Sequence, residues 1–311
     1  MIGQRIKELR NQNNLTQEAL SEGIISRTYL SLIEKGSVEP SNNVLIRLSE
    51  RLGVSVSDLM EEASSSYHDP LNIRREILFN ENKLSRGDTK NVIRFIEESE
   101  SFIHNLDFLD QGRMFLIYAR YFYIKEDFKE AIKYVDLSYS KLKEVMLSTY
   151  FVDASLLYAE LFMRDETYDK ALDLLEPLVF EIYDDRSFII QTRDLLEQIL
   201  TVYFYMEEYF TVSRIMKLLK IHSNKFNLLI EESVTEKALV AMYELRNFDT
   251  LKIELKNYKN AVSNLLGSYI NLNEGDLRTA NEQFKSLDAN DYQDNHFEKI
   301  YKELKERLGS L

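Results

Sequence analysis

Residues 15–36, LTQEALSEGIISRTYLSLIEKG, decide how the first part of the chain is read. Thr16 is placed to cap a helix running to about Glu22, because its oxygen can accept an amide hydrogen from the first turn. Gly23 stands where the backbone must leave that helix. Ser26 is placed to cap a further helix that runs to Lys35 and ends at Gly36. Leu30 and Ile33 fall on one face of it and point into a core, which leaves Arg27, Thr28, Ser31 and Leu32 outward. Two short helices joined by a tight turn, the second presenting small polar side chains, form the geometry that sets a helix into the major groove of DNA.

Working outward, Ile2, Ile6 and Leu9 recur at helical spacing and predict a first helix over residues 2–13. Ala19 is small where two helices cross. A fourth helix follows Pro40-Ser41 and contributes Val44, Leu45 and Leu48; a short fifth, Val56 to Met60, follows the turn at Gly53. Within residues 1–57 seven Lys and Arg (Arg5, Lys7, Arg10, Arg27, Lys35, Arg47, Arg51) meet six Glu, so this segment is near neutral although the chain carries a net charge of −13. The negative charge lies mainly further on, where it either repels stray phosphate or serves solubility.

Residues 3–60 resemble the lambda-repressor-like helix-turn-helix family often labelled XRE, through LTQEAL, SRTYLSLIEKG, Pro40 and GVSVSDLM. Two features depart from many members: the turn is one residue shorter, and Leu32 stands where a polar residue is common. The resemblance implies base or near-base contacts from Gln17, Arg27 and Thr28, with Ser26, Ser31 and Leu32 also at the DNA; Thr28 and Ser31 can donate to a base or a phosphate equally well. Arginine suits guanine because its fork offers two parallel donors, and Leu32 suits a thymine methyl or simple packing. Lys35, Asn42 and Asn43 are expected on phosphates, the asparagines at a helix start where amides favour an anion. One such head buries too little surface for strong specific binding, so a homodimer on a pseudo-palindromic double-stranded operator is expected.

The rest of the chain reads as helix. Nine Gly and three Pro are few for 311 residues; no glycine lies between Gly112 and Gly267, and Pro177 is the only proline there. Strand-rich folds need turn residues more often than that. With 44% apolar residues the chain has ample core. Glu61–Pro70, EEASSSYHDP, is the one plausible hinge, giving a head over 1–62, a linker over 63–70 and a body over 71–311. In the body, connections of similar character recur at intervals of about 40 residues: GDT at 87–89, EDF at 126–128, ETY at 166–168, EEY at 207–209 and RNF at 246–248, with GDL at 275–277 closer behind. YARYFYIKEDFKEAIKYV and YAELFMRDETYDKALDLL show the unit: an aromatic-rich helix, a turn, and a second apolar-striped helix. Ala119 and Ala159 are small at the crossing, with Ala131 and Ala171 three positions past each turn. Pro177 falls in a second helix and is expected to kink or end it.

This pattern resembles tetratricopeptide repeats over about residues 71–290, so the expected fold is all-α: a five-helix lambda-repressor-like head and a right-handed tetratricopeptide-like solenoid. The first helix of each pair then lines an inner surface, with Arg113, Leu116, Arg120 and Tyr123, then Asp153, Glu160, Met163 and Arg164. Equal spacing adds Asp194, Glu197, Thr201 and Tyr205, then Glu236, Val240 and Tyr243. Arginines come early and carboxylates late, which reads either as a polarised groove orienting a peptide's acidic groups toward Arg113, Arg120 and Arg164, or as solvated charges and inter-repeat pairs.

Nothing in the sequence points to catalysis. The four histidines (His68, His104, His222, His296) are scattered, with no HExxH, and there is no cysteine, phosphate loop, GxGxxG or GxSxG. No metal or other cofactor is implied. No signal-like or membrane-spanning stretch is read, so the cytoplasm is the expected location.

Head and body together resemble the peptide-pheromone-responsive regulators of the Rgg, PlcR, NprR and PrgX type. That resemblance implies a homodimeric transcription regulator whose body binds a short imported signalling peptide and thereby rearranges its two heads. It also makes Asn80 a candidate for holding the peptide backbone. The alternatives are a regulator without a small ligand, whose body only dimerises or recruits a protein partner, and a helical adaptor that no longer binds DNA.

Overall fold

The computed structural model describes residues 2–56, 59, 70–258, 260–288 and 295–309. Among them there are helices and turns but no strand. They fall into two compact units, Met1–Ile117 and Tyr118–Leu311.

The first unit begins with α1 (Ile2–Gln12), α2 (Gln17–Ser21), α3 (Arg27–Glu34) and α4 (Asn42–Leu52). Thr16 and Ser26 cap α2 and α3 as expected: their oxygens accept the amide hydrogens of Ala19 and Tyr29, each at 3.1 Å. Ile6, Leu20, Leu30, Ile33 and Leu48 close a core without solvent contact, joined by Leu59. Burial of each contributes about 1.5–3 kcal/mol. α1 crosses α3 so closely that a Cβ on Gly3 would sit 1.7 Å from the Ile33 carbonyl oxygen. The expected fifth helix, Val56–Met60, and the linker at 63–70 fall largely outside the described residues.

The unit continues with α5 (Pro70–Leu84), α6 (Val92–Ser99) and the first half of α7 (Phe108–Ile124). Ion pairs tie α5 to the start of α7. Arg74 reaches Asp107 at 2.9 Å and Asp110 at 2.7 Å, and Arg113 grips both oxygens of Glu81 at 2.9 and 2.8 Å.

The second unit stacks helix pairs on the end of α7: α8 (Phe128–Lys143), α9 (Thr149–Arg164), α10 (Tyr168–Ile182), α11 (Ile189–Tyr205), α12 (Tyr209–Phe226), α13 (Glu232–Glu244), α14 (Phe248–Leu255), α15 (Ala261–Glu274), α16 (Leu277–Lys285) and α17 (Asn295–Gly309). Five turns repeat one geometry. Glu126, Glu166, Glu207, Arg246 and Gly275 take φ between 55° and 86°. The following residue (Asp127, Thr167, Glu208, Asn247, Asp276) donates its amide to a carbonyl five residues back, at 2.9 Å each time. This closure satisfies orphan carbonyls at the helix end, usually with glycine at the left-handed position. Four of the five turns use a side-chain-bearing residue there, at a cost of about 1 kcal/mol each. That is how a chain so poor in glycine still turns.

Ala119, Ala131, Ala159 and Ala171 are fully buried, as small residues at crossings should be. Pro177 lies inside a second helix, as expected, but does not end it: α10 runs through it to Ile182. Both Pro177 and Asp173, whose carbonyl loses its helical partner, are exposed, where burial imposes no penalty on that carbonyl.

Candidate nucleic-acid interface and body groove

On the head, α3 presents the expected face. Arg27, Thr28 and Lys35 are exposed, Ser31 is half-buried, and Leu32 is 37% exposed. Ser26 is exposed but its oxygen already accepts the Tyr29 amide, which leaves its hydroxyl hydrogen to donate. Asn42 and Asn43 are exposed in the first turn of α4, where Ser41 makes no side-chain cap. The first-turn amides there lack intrahelical partners, an arrangement that suits a phosphate oxygen.

A buried network sits beneath this face. Glu34, 8% exposed, accepts from Arg10 Nε at 2.6 Å and Nη2 at 3.2 Å, and from Gln17 Nε2 at 2.7 Å. Arg10 also donates to the Leu15 carbonyl at 2.8 Å. One carboxylate therefore joins α1, α2 and α3 and fixes the Gln17 amide so that its oxygen is the atom left to project. Sequence reasoning placed Gln17 but missed Glu34, because no spacing rule links positions so far apart.

In the second unit, a hollow of about 660 Å³ opens between the first helices of successive pairs. Arg120 on α7, Asp153, Glu160 and Met163 on α9, and Asp194, Glu197 and Thr201 on α11 all line it, as the threading expects. Arg193 and Gln198 on α11, Glu231 before α13, and Ser233 and Lys237 on α13 join them. Leu156, Leu157, Met163 and Val234 supply apolar surface.

The charges are largely committed to one another. Arg120 donates to Asp153 at 2.9 Å, and Arg193 donates twice to one oxygen of Asp194, at 2.8 and 2.6 Å. Tyr123 donates to Glu160; burial first, then that bond, pushes its phenol up to about 12. Burial also raises the carboxyls of Asp194 and Glu197 above the ordinary carboxylate range, with Arg193 opposing the shift at both.

Other expected groove residues lie elsewhere. Asn80 is buried, and its amide donates to the Glu76 carbonyl of its own helix at 2.9 Å. Arg113 is spent on Glu81, and Leu116 is core. Arg164 lies 3.8 Å over the Phe128 ring, and Tyr205 stacks on Tyr168. Glu236 accepts from Asn260 at 2.9 Å, and burial raises its carboxyl. Val240 and Tyr243 are sealed; Tyr243 packs edge-on against Tyr269 and donates to Glu303 at 3.4 Å. They share a helical stripe with Ser233 and Lys237, but its C-terminal half is covered by α15 and α17. Nor do the charges segregate as the sequence suggested, since Arg193 and Lys237 stand among the later carboxylates.

Among the described residues no helix is long and apolar enough to cross a membrane, and no cluster of metal-binding type occurs. Fold and surface together define an all-helical protein with a helix-turn-helix DNA-binding head and a helical repeat body. The helix-turn-helix family model matches residues 6–59. The chain is 40% identical over 62 residues to the immunity repressor protein of Bacillus phage phi105, covering 20% of this chain and 43% of that protein. It is 35% identical over 63 residues to control protein C.BamHI of Bacillus amyloliquefaciens, covering 20% of this chain and 78% of that one. It thus spans less than half the length of the repressor and most of the control protein. The chain belongs to the helix-turn-helix family. Among solved structures it is similar to PlcR of Bacillus thuringiensis in complex with the peptide PapR7 and DNA, with a TM-score of 0.45, 15% identity, and coverage of 91% of this chain and 94% of that one.

Proposed function

We propose that the protein is a sequence-specific transcription regulator that acts as a homodimer on a pseudo-palindromic operator. Its body takes a short extended peptide in the hollow lined by α7, α9, α11 and α13, and occupancy changes the arrangement of the heads. Residues 1–62 form the reading head and 71–311 the sensing body, joined through 63–70. One observation carries this reading: a single stripe from three successive repeats (Asp153 and Glu160, then Asp194, Glu197 and Thr201, then Ser233 and Lys237) lines one hollow with apolar surface between its charges. An extended chain, whose side chains alternate, suits such a surface.

The head supports the first half through Arg27 and Thr28, exposed on a helix whose other face is core. The kinship with a phage repressor and a control protein agrees with it. The second half obeys linkage: a ligand moves the heads only by binding one body conformation better than another, and a switch from 1:99 to 99:1 takes about 5.5 kcal/mol of difference. A second reading, a body that only dimerises or recruits a partner protein, draws on exposed apolar side chains of the second helices, Phe180 at 90% and Phe210 at 66%.

Two measurements test the proposal. An operator selected from random DNA should bind Arg27→Ala at least tenfold more weakly than wild type, the scale of one bidentate base contact; unchanged affinity removes the major-groove assignment. Pooled short peptides should raise the melting temperature of the full chain saturably. A flat response across a broad pool favours the ligand-free reading.

A further inference from the structure

The charge balance of the hollow says what kind of ligand it takes. Five carboxylates line it (Asp153, Glu160, Asp194, Glu197 and Glu231) against three cations (Arg120, Arg193 and Lys237). Both arginines are occupied: Arg120 by Asp153, and Arg193 by two hydrogen bonds to Asp194. To reach either guanidinium, an anionic ligand must displace a carboxylate already seated and leave it unpaired in the hollow. The remaining three carboxylates are differently placed. Among the described residues Glu160 accepts only a neutral phenol, from Tyr123. Glu197, 7% exposed, accepts the Glu231 backbone amide at 3.0 Å, and no other hydrogen bond reaches its side chain among the described residues. Glu231 stands exposed beside it. Among the described residues no lysine or arginine lies within ion-pair distance of these three, and burial with like-charged neighbours already lifts the proton affinity of Glu197 and Asp194. A cation arriving here loses little and relieves that repulsion.

Apolar surface narrows the class further. Leu156, Leu157, Met163 and Val234 face the same hollow, and a lysine or arginine stem with apolar neighbours would cover them while its head meets the carboxylates. A small polyamine would satisfy the charge but leave that surface wet. We infer that the groove selects a short, predominantly apolar peptide carrying a lysine or arginine, its cationic head directed at Glu160, Glu197 and Glu231. This inverts the polarity suggested by the early arginines of the sequence, and it rests on the proposal that the hollow is a peptide site.

The test uses the full chain and three fluorescein-labelled heptapeptide pools, randomised over Leu, Val, Phe and Ala and differing only at the central residue: Lys, Gln or Glu. Fluorescence anisotropy at 0.15 M salt should show the Lys pool binding about tenfold tighter than the Gln pool, with the Glu pool weakest, the scale of a partly desolvated charge pair. The double variant Glu160→Gln/Glu231→Gln changes two exposed side chains and keeps their acceptor oxygens, so folding should be retained, as circular dichroism will show. In it the Lys preference should fall to about twofold. Equal binding of all three pools, a preference for Glu, or a Lys preference unchanged in the double variant overturns the inference while leaving a peptide site intact. Absence of binding by every pool overturns the peptide site itself. Spermidine displacing the Lys pool at equal concentration would make the ligand a polyamine and overturn the peptide assignment.

Discussion

The Glu197 carboxylate accepts a 3.0 Å hydrogen bond from the backbone amide of Glu231, the residue that caps α13. A side chain on α11 thus completes the first turn of the next repeat's inner helix, where the amides and dipole favour negative charge. Burial outweighs that benefit. Desolvation raises the Glu197 carboxyl above its ordinary value of 4.5, the Glu231 amide and Arg193 oppose, and the charges of Glu231 and Asp194 add to the rise.

Because the folded protein holds this proton more tightly than the unfolded chain, stability falls as pH rises from 4.5 through the raised value. Glu197→Gln keeps an acceptor for the Glu231 amide and removes the buried charge. The variant should be more stable than wild type at pH 7.5 by about 0.5–1 kcal/mol, a modest figure because the group is partly screened by water. The difference should shrink at pH 5. Urea titrations at both pH values check this, and a destabilised variant at pH 7.5 would show that the charge itself holds α13.

Glu34 is the opposite case, a buried carboxylate on which three helices depend. Its side chain is 3% exposed and that of its partner Arg10 is 11% exposed. Glu34→Ala leaves the Arg10 guanidinium and the Gln17 amide without their acceptor, and breaking a buried pair on one side costs about 3–5 kcal/mol. The head should lose its cooperative denaturation transition or show it shifted by that amount. Operator affinity should fall with it, although Glu34 does not face the DNA-reading surface. Glu34→Gln, which retains one acceptor, should lose less.

The head was legible because its signals are local. Thr16, Ser26 and Gly53 act on their immediate neighbours, and Leu30 with Ile33 fixes which way α3 faces. Along the body, the recurring turns were legible through Phe128, Tyr168, Tyr209 and Phe248, each opening a second helix. The groove was half legible. Period alone carried Asp153 to Asp194 and Glu160 to Thr201, because α9 and α11 are similar in length. It failed at α13, which is shorter and whose C-terminal half is covered by Tyr269 and Glu303. Arg193 is not marked by the repeat spacing, which picks out its neighbour Asp194; its long side chain bends back onto that neighbour and so reaches the hollow.

Gly3 marks a limit that no substitution can relax. A methyl at this position would stand 1.7 Å from the Ile33 carbonyl oxygen and 2.7 Å from its carbon, both backbone atoms of α3. A flexible side chain could swing aside; a helix backbone cannot. Gly3→Ala should therefore separate α1 from α3 and destabilise the head by more than about 3 kcal/mol, the scale of severe overpacking. The separation should displace α3 and reduce operator binding at temperatures where the body remains folded. Near-native melting and binding would mean that α1 can withdraw without disturbing the surface that carries Arg27.

The four side-chain-bearing left-handed turns offer the reverse opportunity. Glu126, Glu166, Glu207 and Arg246 take φ of 61°, 55°, 61° and 56°, where a Cβ is crowded by the following carbonyl. Gly275 occupies the equivalent place in the last such turn without that crowding. Glycine at each of the four should relieve about 1 kcal/mol of strain and lose part of it to the greater freedom of the unfolded chain. A net gain of about 0.5 kcal/mol per site follows for Glu126→Gly, Glu166→Gly and Glu207→Gly. Arg246 differs, because its guanidinium donates to Tyr269 at 3.2 Å and lies 5.8 Å from the Tyr243 ring. Arg246→Gly should be neutral or destabilising, since the lost contacts offset the relief. Denaturation of the four single variants separates strain from contact: three shifts upward and one flat or downward are expected. A uniform loss at all four sites would mean that the exposed side chains, rather than the backbone, hold these turns.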